Sequence, residues 1–335
     1  MKQVPNTLPV ILCVDVEPYN RQINPGGGED WEGVEESARY FDSLRNRVEE
    51  TAGAPAHFNW FFRMDPQIER AYGSPGWAAQ RYGEVIERLD AAGDELGLHT
   101  HAWRWDEGAG RWVTDHDDPR WVEHCVRMSF EAYREAFGRD CASFRFGDRW
   151  MNDETMDLLE SLGVKYELTL EPGRIPRPYP ADKSPVGTLP DFVGVPRRPY
   201  RPSRRDFREP EPGDERDLWA IPMSTGKEPG RFVRVKRAAA ALGLDLRKRN
   251  DTVPLNLGLD AALFRALTES WLEAAEEKYL ALIVRSDNSL PSRGRAHVEE
   301  NLDFLLSHPL APRLRFTTPA EALALLAVDT QNGRP

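Results

Sequence analysis

Cysteine is scarce: Cys13, Cys125 and Cys141 are the only three in 335 residues. An odd count without close spacing excludes a disulfide framework and a CxxC metal site as the organising device. Long apolar runs are missing as well. Nothing approaches the roughly 20 consecutive residues that a membrane-spanning helix needs, so no membrane insertion is expected. The apolar stretch near the start, Leu8–Val16, contains Asp15 and lacks the basic lead and cleavage site of a secretion signal. Basic residues are in deficit. Lys and Arg total 44 against 55 Asp and Glu, for a net charge of −11. That is the reverse of a nucleic-acid footprint, and it would keep the protein off anionic membranes. Internal repeats and low-complexity tracts are absent. The expectation is a soluble, cytoplasmic protein with free thiols.

What the chain does have is a strand–helix rhythm. Its length suits one large domain or two small ones, with a core that needs no cross-links. Pro9–Val16 reads as a buried strand. A helix follows over Glu35–Thr51, then an aromatic strand over Ala54–Phe62. Trp77–Ala92 reads as a helix stopped by Gly93, and Glu95–Leu98 as a strand. Pro119–Phe137 is helical and Ala142–Phe146 extended. Asn152 caps a helix ending at Leu162, and Val164–Leu170 is a strand. Farther on, Asp260 caps a helix and Tyr279–Val284 is a strand. Ala296–Leu306 is helical and Leu314–Thr317 extended. Thr318, Pro319 and Glu321 then form a capping box.

Between these halves the regularity fails. Thirteen of the 27 prolines fall from Pro172 to Pro229. Positions 172–250 therefore read as a Pro- and Arg-rich insertion in one domain spanning 1–335. The insertion holds Arg197, Arg198, Arg201, Arg204 and Arg205, and a basic amphipathic helix is expected over 231–249. Both read as solvated arms, with an acidic-ligand site as the alternative. About seven parallel βα units predict an α/β fold, either an open sheet or a barrel, with reactive groups beyond the carboxyl ends of the strands.

The strand ends bear this out in composition. They carry Asp15 and Glu17, then Arg63 and Asp65, His99 and His101, Arg145 and Asp148, and Arg285 and Asp287. Asp15 and Glu17 are two apart, so an extended backbone points both to one face. Carboxylates that close repel unless a cation or proton lies between them. His99-Thr-His101 follows the same spacing, and two histidines with a carboxylate form a familiar catalytic zinc set. Strand ends meeting water would account for each pair separately; the combination favours a metal. Arg145 cannot be a base. It can clamp a carboxylate, and pairing with Asp15 would leave Asp15 able to take a proton. Five of the ten tryptophans, including Trp103 and Trp150, lie between positions 103 and 150. They suit sugar rings and core packing equally.

VDVE at 14–17, GDELGLHTH at 93–101, FRFGDRW at 144–150 and FTTPAE at 316–321 together resemble the polysaccharide deacetylase superfamily of the NodB type (carbohydrate esterase family 4). The resemblance implies a distorted (β/α)7 barrel with one divalent metal, zinc foremost among transition metals. Asp15 then resembles the family's base, Glu17 its metal-binding carboxylate and Arg145 the arginine that orients the base. The family's second motif is usually His-x-x-x-His. Here His99 matches the first histidine, Trp103 stands at the second, and His101 is taken as the substitute ligand. A late-strand histidine normally acts as general acid; Arg285 occupies that place.

The leading expectation is a metal-dependent hydrolase that removes an N-acetyl or other acyl group from a carbohydrate or glycoconjugate precursor. Asp65, Trp103, Asp148, Trp150, Arg285 and Asp287 are expected against substrate. His57, Asp65, Asp148 and Asp287 are candidates for the missing acid. A cytoplasmic address would favour small glycosides, nucleotide sugars or lipid-linked precursors, whose phosphate the 197–205 arginines could meet. Hydrolysis of a non-sugar C–N bond, and glycan binding without catalysis, remain open. The sequence leaves oligomeric state undetermined.

Overall fold

All nine residues of β1 (Leu8–Val16) are buried, as a strand covered on both faces of a parallel sheet must be. The computed structural model describes residues 7–20, 23–28, 31–178, 188–230, 252–274 and 279–332. The basic segment at 231–249 lies outside the described residues. Around β1 are β2 (Asn59–Arg63), β3 (Glu95–Thr100), the hairpin β4 (Trp103–Asp106) and β5 (Arg111–Thr114), β6 (Ser143–Phe146) and β7 (Tyr166–Glu167). Then come the hairpin β8 (Arg177–Pro178) and β9 (Thr188–Leu189), β10 (Trp219–Ala220), and the pair β11 (Thr225–Lys227) and β12 (Thr252–Pro254). β13 (Leu280–Arg285) and β14 (Leu314–Phe316) complete the set.

Eight of these strands form one sheet of order β10-β7-β6-β3-β2-β1-β13, with β14 also on β1. Every pairing in it is parallel. The sheet curls into a distorted barrel. Consecutive residues bridge its two margins: Met223 N donates to Leu170 O at 2.8 Å, and Ser224 N to Ala281 O at 3.0 Å. β14 is a wedge. It pairs Leu8–Val10, whereas β2 pairs only Cys13–Val16. At the fork, the Asn59 side-chain amide donates to Leu12 O and Thr317 O.

Some expectations need correction. An eighth strand, β10, joins the main sheet from within positions 172–250. Arg216 anchors that stretch. It is fully buried, with its guanidinium on Asp157 at 2.9 Å and Asp153 at 3.3 Å. The Val164–Leu170 strand shrinks to two paired residues. The Trp77–Ala92 helix is two helices, Trp77–Arg81 and Gly83–Ala91, broken where Tyr82 leaves helical geometry and its hydroxyl donates to Trp31 O. Among the described residues, no helix is long and apolar enough to cross a membrane.

Candidate active site

Strand register sets the site. Asp15 lies opposite Arg285 on one side and Phe61 on the other. Arg63 is opposite His99, and His99 is opposite Arg145. Five neighbouring strands thus deliver polar residues at their carboxyl ends, Arg63, His99 and Arg145 at one level and Asp15 and Arg285 two residues before it.

Arg145 Nε donates to Asp15 Oδ1 at 2.9 Å, and its Nη1 donates to Leu168 O at 2.6 Å. The guanidinium is thereby held between two strand ends and fixes one oxygen of Asp15. Beside this pair, Glu17, His99 and His101 each offer a ligand atom within 4.8 Å of the others, and all three are buried. The two Nε2 atoms stand 3.1 Å apart, and His101 Nε2 is 3.4 Å from Glu17 Oε2.

The outer nitrogens are already committed. His99 Nδ1 is 3.0 Å from Arg145 O, which can only accept, so it carries the proton and leaves its Nε2 as a lone pair. His101 Nδ1 is 2.8 Å from Asp148 Oδ2. Two neutral imidazoles held this way would face each other lone pair to lone pair. A cation between them, either a proton or a metal, removes the conflict. Tetrahedral zinc with bonds of about 2.0–2.1 Å to nitrogen would set two such atoms about 3.3 Å apart, so the donor set fits a metal.

Charge balance agrees. Asp15 pairs with Arg145, while Glu17, Asp65, Asp148 and Asp287 share Arg63, Arg285 and His101, so the site is rich in carboxylates. Burial pulls His99 down to about 4, outweighing the pull of Asp15, so it is neutral near pH 7. Burial and Arg63 also depress His101, but Asp148 and Glu17 prevail and raise it. Burial takes His116 down to about 4.

Local backbone explains how His101 fits. A Cβ on Gly147 would lie 2.3–2.4 Å from the His101 ring, so only glycine leaves that ring its space. The next residues, Asp148 (φ 54°) and Arg149 (φ 62°), are left-handed. Aspartate tolerates that region better than most residues.

No protein-family model matches the sequence, and no curated protein matches it. Solved structures do match. A Parabacteroides distasonis protein with the provisional name glycoside hydrolase/deacetylase superposes with a TM-score of 0.55 at 14% identity, over 96% of this chain and 72% of that one. A Pseudomonas aeruginosa PAO1 protein, provisionally named a polysaccharide deacetylase, gives 0.50 at 12% identity, over 96% and 91%. The fold is that of the polysaccharide deacetylases.

On this deacetylase fold the expected site residues divide. Asp15, Glu17, His99, His101 and Arg145 come together as described. Asp65 and Trp103, expected against substrate, are closed off from solvent. Asp65 is fully buried; it caps the helix Pro66–Tyr72 and accepts from Arg63 Nε at 2.6 Å and His101 N at 3.2 Å. Trp103 is 1% exposed and donates to Asp148 at 2.8 Å. Asp148, Trp150 and Arg285 are partly exposed, and Asp287 is nearly closed off. Trp150 stacks on His116, rings 4.6 Å apart and 7° from parallel, beside a cleft of about 390 Å³. Arg285 Nε is shared between Glu17 (3.2 Å) and Asp287 (3.0 Å), while its Nη2 holds Pro18 O and Tyr19 O.

His57 is elsewhere. It precedes β2, at the amino end of the strands, and pairs with Glu321 at 2.9 Å. Four of the five 197–205 arginines have protein partners. Arg201 pairs with Asp217, Arg204 with Glu160 and Arg205 with Glu211, while Arg197 lies over the Trp271 ring. Sequence reasoning placed Arg63 at a strand end but gave it no role; it is fully buried and 3.6 Å from Glu17. Its place at the end of β2, level with His99 and Arg145, was the available signal.

Proposed function

We propose that this chain is a metal-dependent hydrolase that removes an N-acetyl or related acyl group from a carbohydrate or glycoconjugate, as a divergent NodB-type member of carbohydrate esterase family 4. One observation carries the reading: Glu17, His99 and His101 converge beside an arginine-held aspartate at the carboxyl ends of a deacetylase-fold sheet.

Glu17, His99 and His101 would hold the ion, with zinc the first choice for two imidazoles and a carboxylate. When bound, a divalent ion supplies Lewis-acid polarisation of the carbonyl and a more acidic water. Asp15 takes the proton of the attacking water through the oxygen that Arg145 leaves unbound. Arg145 keeps that carboxylate from turning. Arg285 fixes the loop after β1 by its bonds to Pro18 and Tyr19, and so keeps Glu17 in place. The leaving amine needs a proton, and Asp287 is the best placed of the candidate acids. Burial raises its pKa, Glu17 adds to the rise, and Arg285 only partly offsets them.

The test is acetate release from a panel of N-acetylated sugars, with metal content measured on protein purified without added metal. Release that a chelator abolishes and zinc restores supports the reading. Ammonia or ring opening without acetate points to a non-sugar C–N substrate. Glycan binding indifferent to chelator, without turnover, makes the fold a binding scaffold.

A further inference from the structure

We infer that Asp148 is the positioning residue that makes His101 a metal ligand, with Trp103 sharing and shielding its carboxylate. The inference rests on the proposed reading of Glu17, His99 and His101 as a metal site.

The three side chains form a tight triangle. His101 Nδ1 and Trp103 Nε1 each lie 2.8 Å from the same oxygen, Asp148 Oδ2, and 3.1 Å from one another. Indole nitrogen can only donate. A carboxylate accepting from both N–H groups is the arrangement in which every donor meets an acceptor. It puts the imidazole proton on Nδ1 and turns the Nε2 lone pair toward His99 and Glu17. The His101 and Trp103 side chains are buried, and the Asp148 side chain is 6% exposed.

The two histidines are therefore held differently. His99 leans on a neutral backbone carbonyl, Arg145 O, whereas His101 leans on a carboxylate. A carboxylate behind an imidazole raises its basicity and fixes its ring, and losing such a partner typically costs roughly 10- to 100-fold in metal affinity. The backbone is shaped for this contact. Gly147 admits the His101 ring, and the left-handed turn at Asp148 folds its side chain back onto that ring. Without Asp148, His101 could rotate or take the other tautomer.

The experiment is zinc affinity, by competition with a chromophoric chelator, on wild type, Asp148→Asn and Trp103→Phe. Thermal unfolding of each metal-free form accompanies it. Asparagine is nearly isosteric and tolerates the left-handed region, so Asp148→Asn keeps the fold. Its expected affinity is roughly 10- to 100-fold weaker, whereas Trp103→Phe, which frees the whole carboxylate for His101, stays within about threefold of wild type. Wild-type affinity in Asp148→Asn overturns the inference alone. So does an equal loss in both variants that tracks their loss of thermal stability, since that is the pattern of a merely structural contact. Failure of the wild type itself to bind zinc overturns the inference together with the metal reading.

Discussion

His99 and His101 aim their Nε2 atoms at each other across 3.1 Å, although they sit only two residues apart. In a continuing strand, residues at that spacing share a face but stand nearly 7 Å apart along it (about 3.3 Å per residue). The short approach arises because β3 ends at Thr100 and the chain turns there. Asp65 takes the His101 amide at 3.2 Å, and Gly147 makes room for the ring.

That geometry makes both histidines necessary. His99→Ala and His101→Ala should each abolish near-stoichiometric metal content, measured by elemental analysis after purification without added metal. Loss in His99→Ala alone would mean that another residue completes the set.

Asp15 is expected to behave differently. Asp15→Asn should retain metal yet lose about 10²–10⁴ in turnover, the usual range for a removed general base. Arg145→Met should also retain metal and lower kcat, since it unfastens Asp15 without touching Glu17 or His99 side chains. Metal loss in Asp15→Asn would make that carboxylate a ligand instead.

Gly147→Ala is a test of space. The added methyl carbon would lie within 2.4 Å of His101 ring atoms, so either ring or turn must shift. Overpacking of this kind costs about 1–3 kcal/mol. The expected result is a lower melting temperature together with weakened zinc binding, whereas Gly138→Ala, at a distant helix end where a Cβ meets nothing within 4 Å, should leave zinc binding intact.

Acid sensitivity follows from the buried imidazoles. His99 and His116 are both held at about 4 by burial, against about 6.5 for an unfolded histidine. Between those values the unfolded chain binds more protons than the native one, so stability falls as pH falls. His101 runs the other way. Its contribution is complete below the unfolded pKa and is lost as pH rises through its raised folded value. Below its unfolded value His101 adds no slope, and the buried carboxyls Glu167, raised to about 7, Glu95 and Asp287 act against the two neutral rings, so the test is differential: on going from pH 6.5 to pH 4.5, metal-free His116→Phe should lose less urea midpoint than metal-free wild type. The same midpoint change in wild type and His116→Phe would falsify the assignment of a neutral, buried His116 ring.

Much of this was legible from local pattern. The strand cores, the caps at Asn152 and Asp260 and the capping box of Thr318 and Glu321 depend on neighbours a few residues away. The strand-end residues were legible because parallel βα topology gathers them whatever their separation. The β4–β5 hairpin was not, since its tryptophans and arginines carry no turn dipeptide of the usual kind. Nor was β10, whose two residues pair with a strand more than fifty positions earlier. The burial of Asp65 and Trp103 was not legible either. Polar atoms near a reactive centre often serve the residues that serve the substrate, and burial decides which.

The wedge strand β14 bears on how the chain comes to be assembled. β1 precedes its partners by far, for its lower half waits for Leu314–Phe316 and its free edge for Leu280–Arg285. Only the short contact with β2 can form beforehand. The strand that presents Asp15 and Glu17 is thus made before the rest of the sheet and is among the last to be enclosed. A nascent chain must carry this apolar ribbon exposed until some three hundred residues have followed it. Chaperone demand and arrest at late codons should therefore fall on the same strand that holds the chemistry.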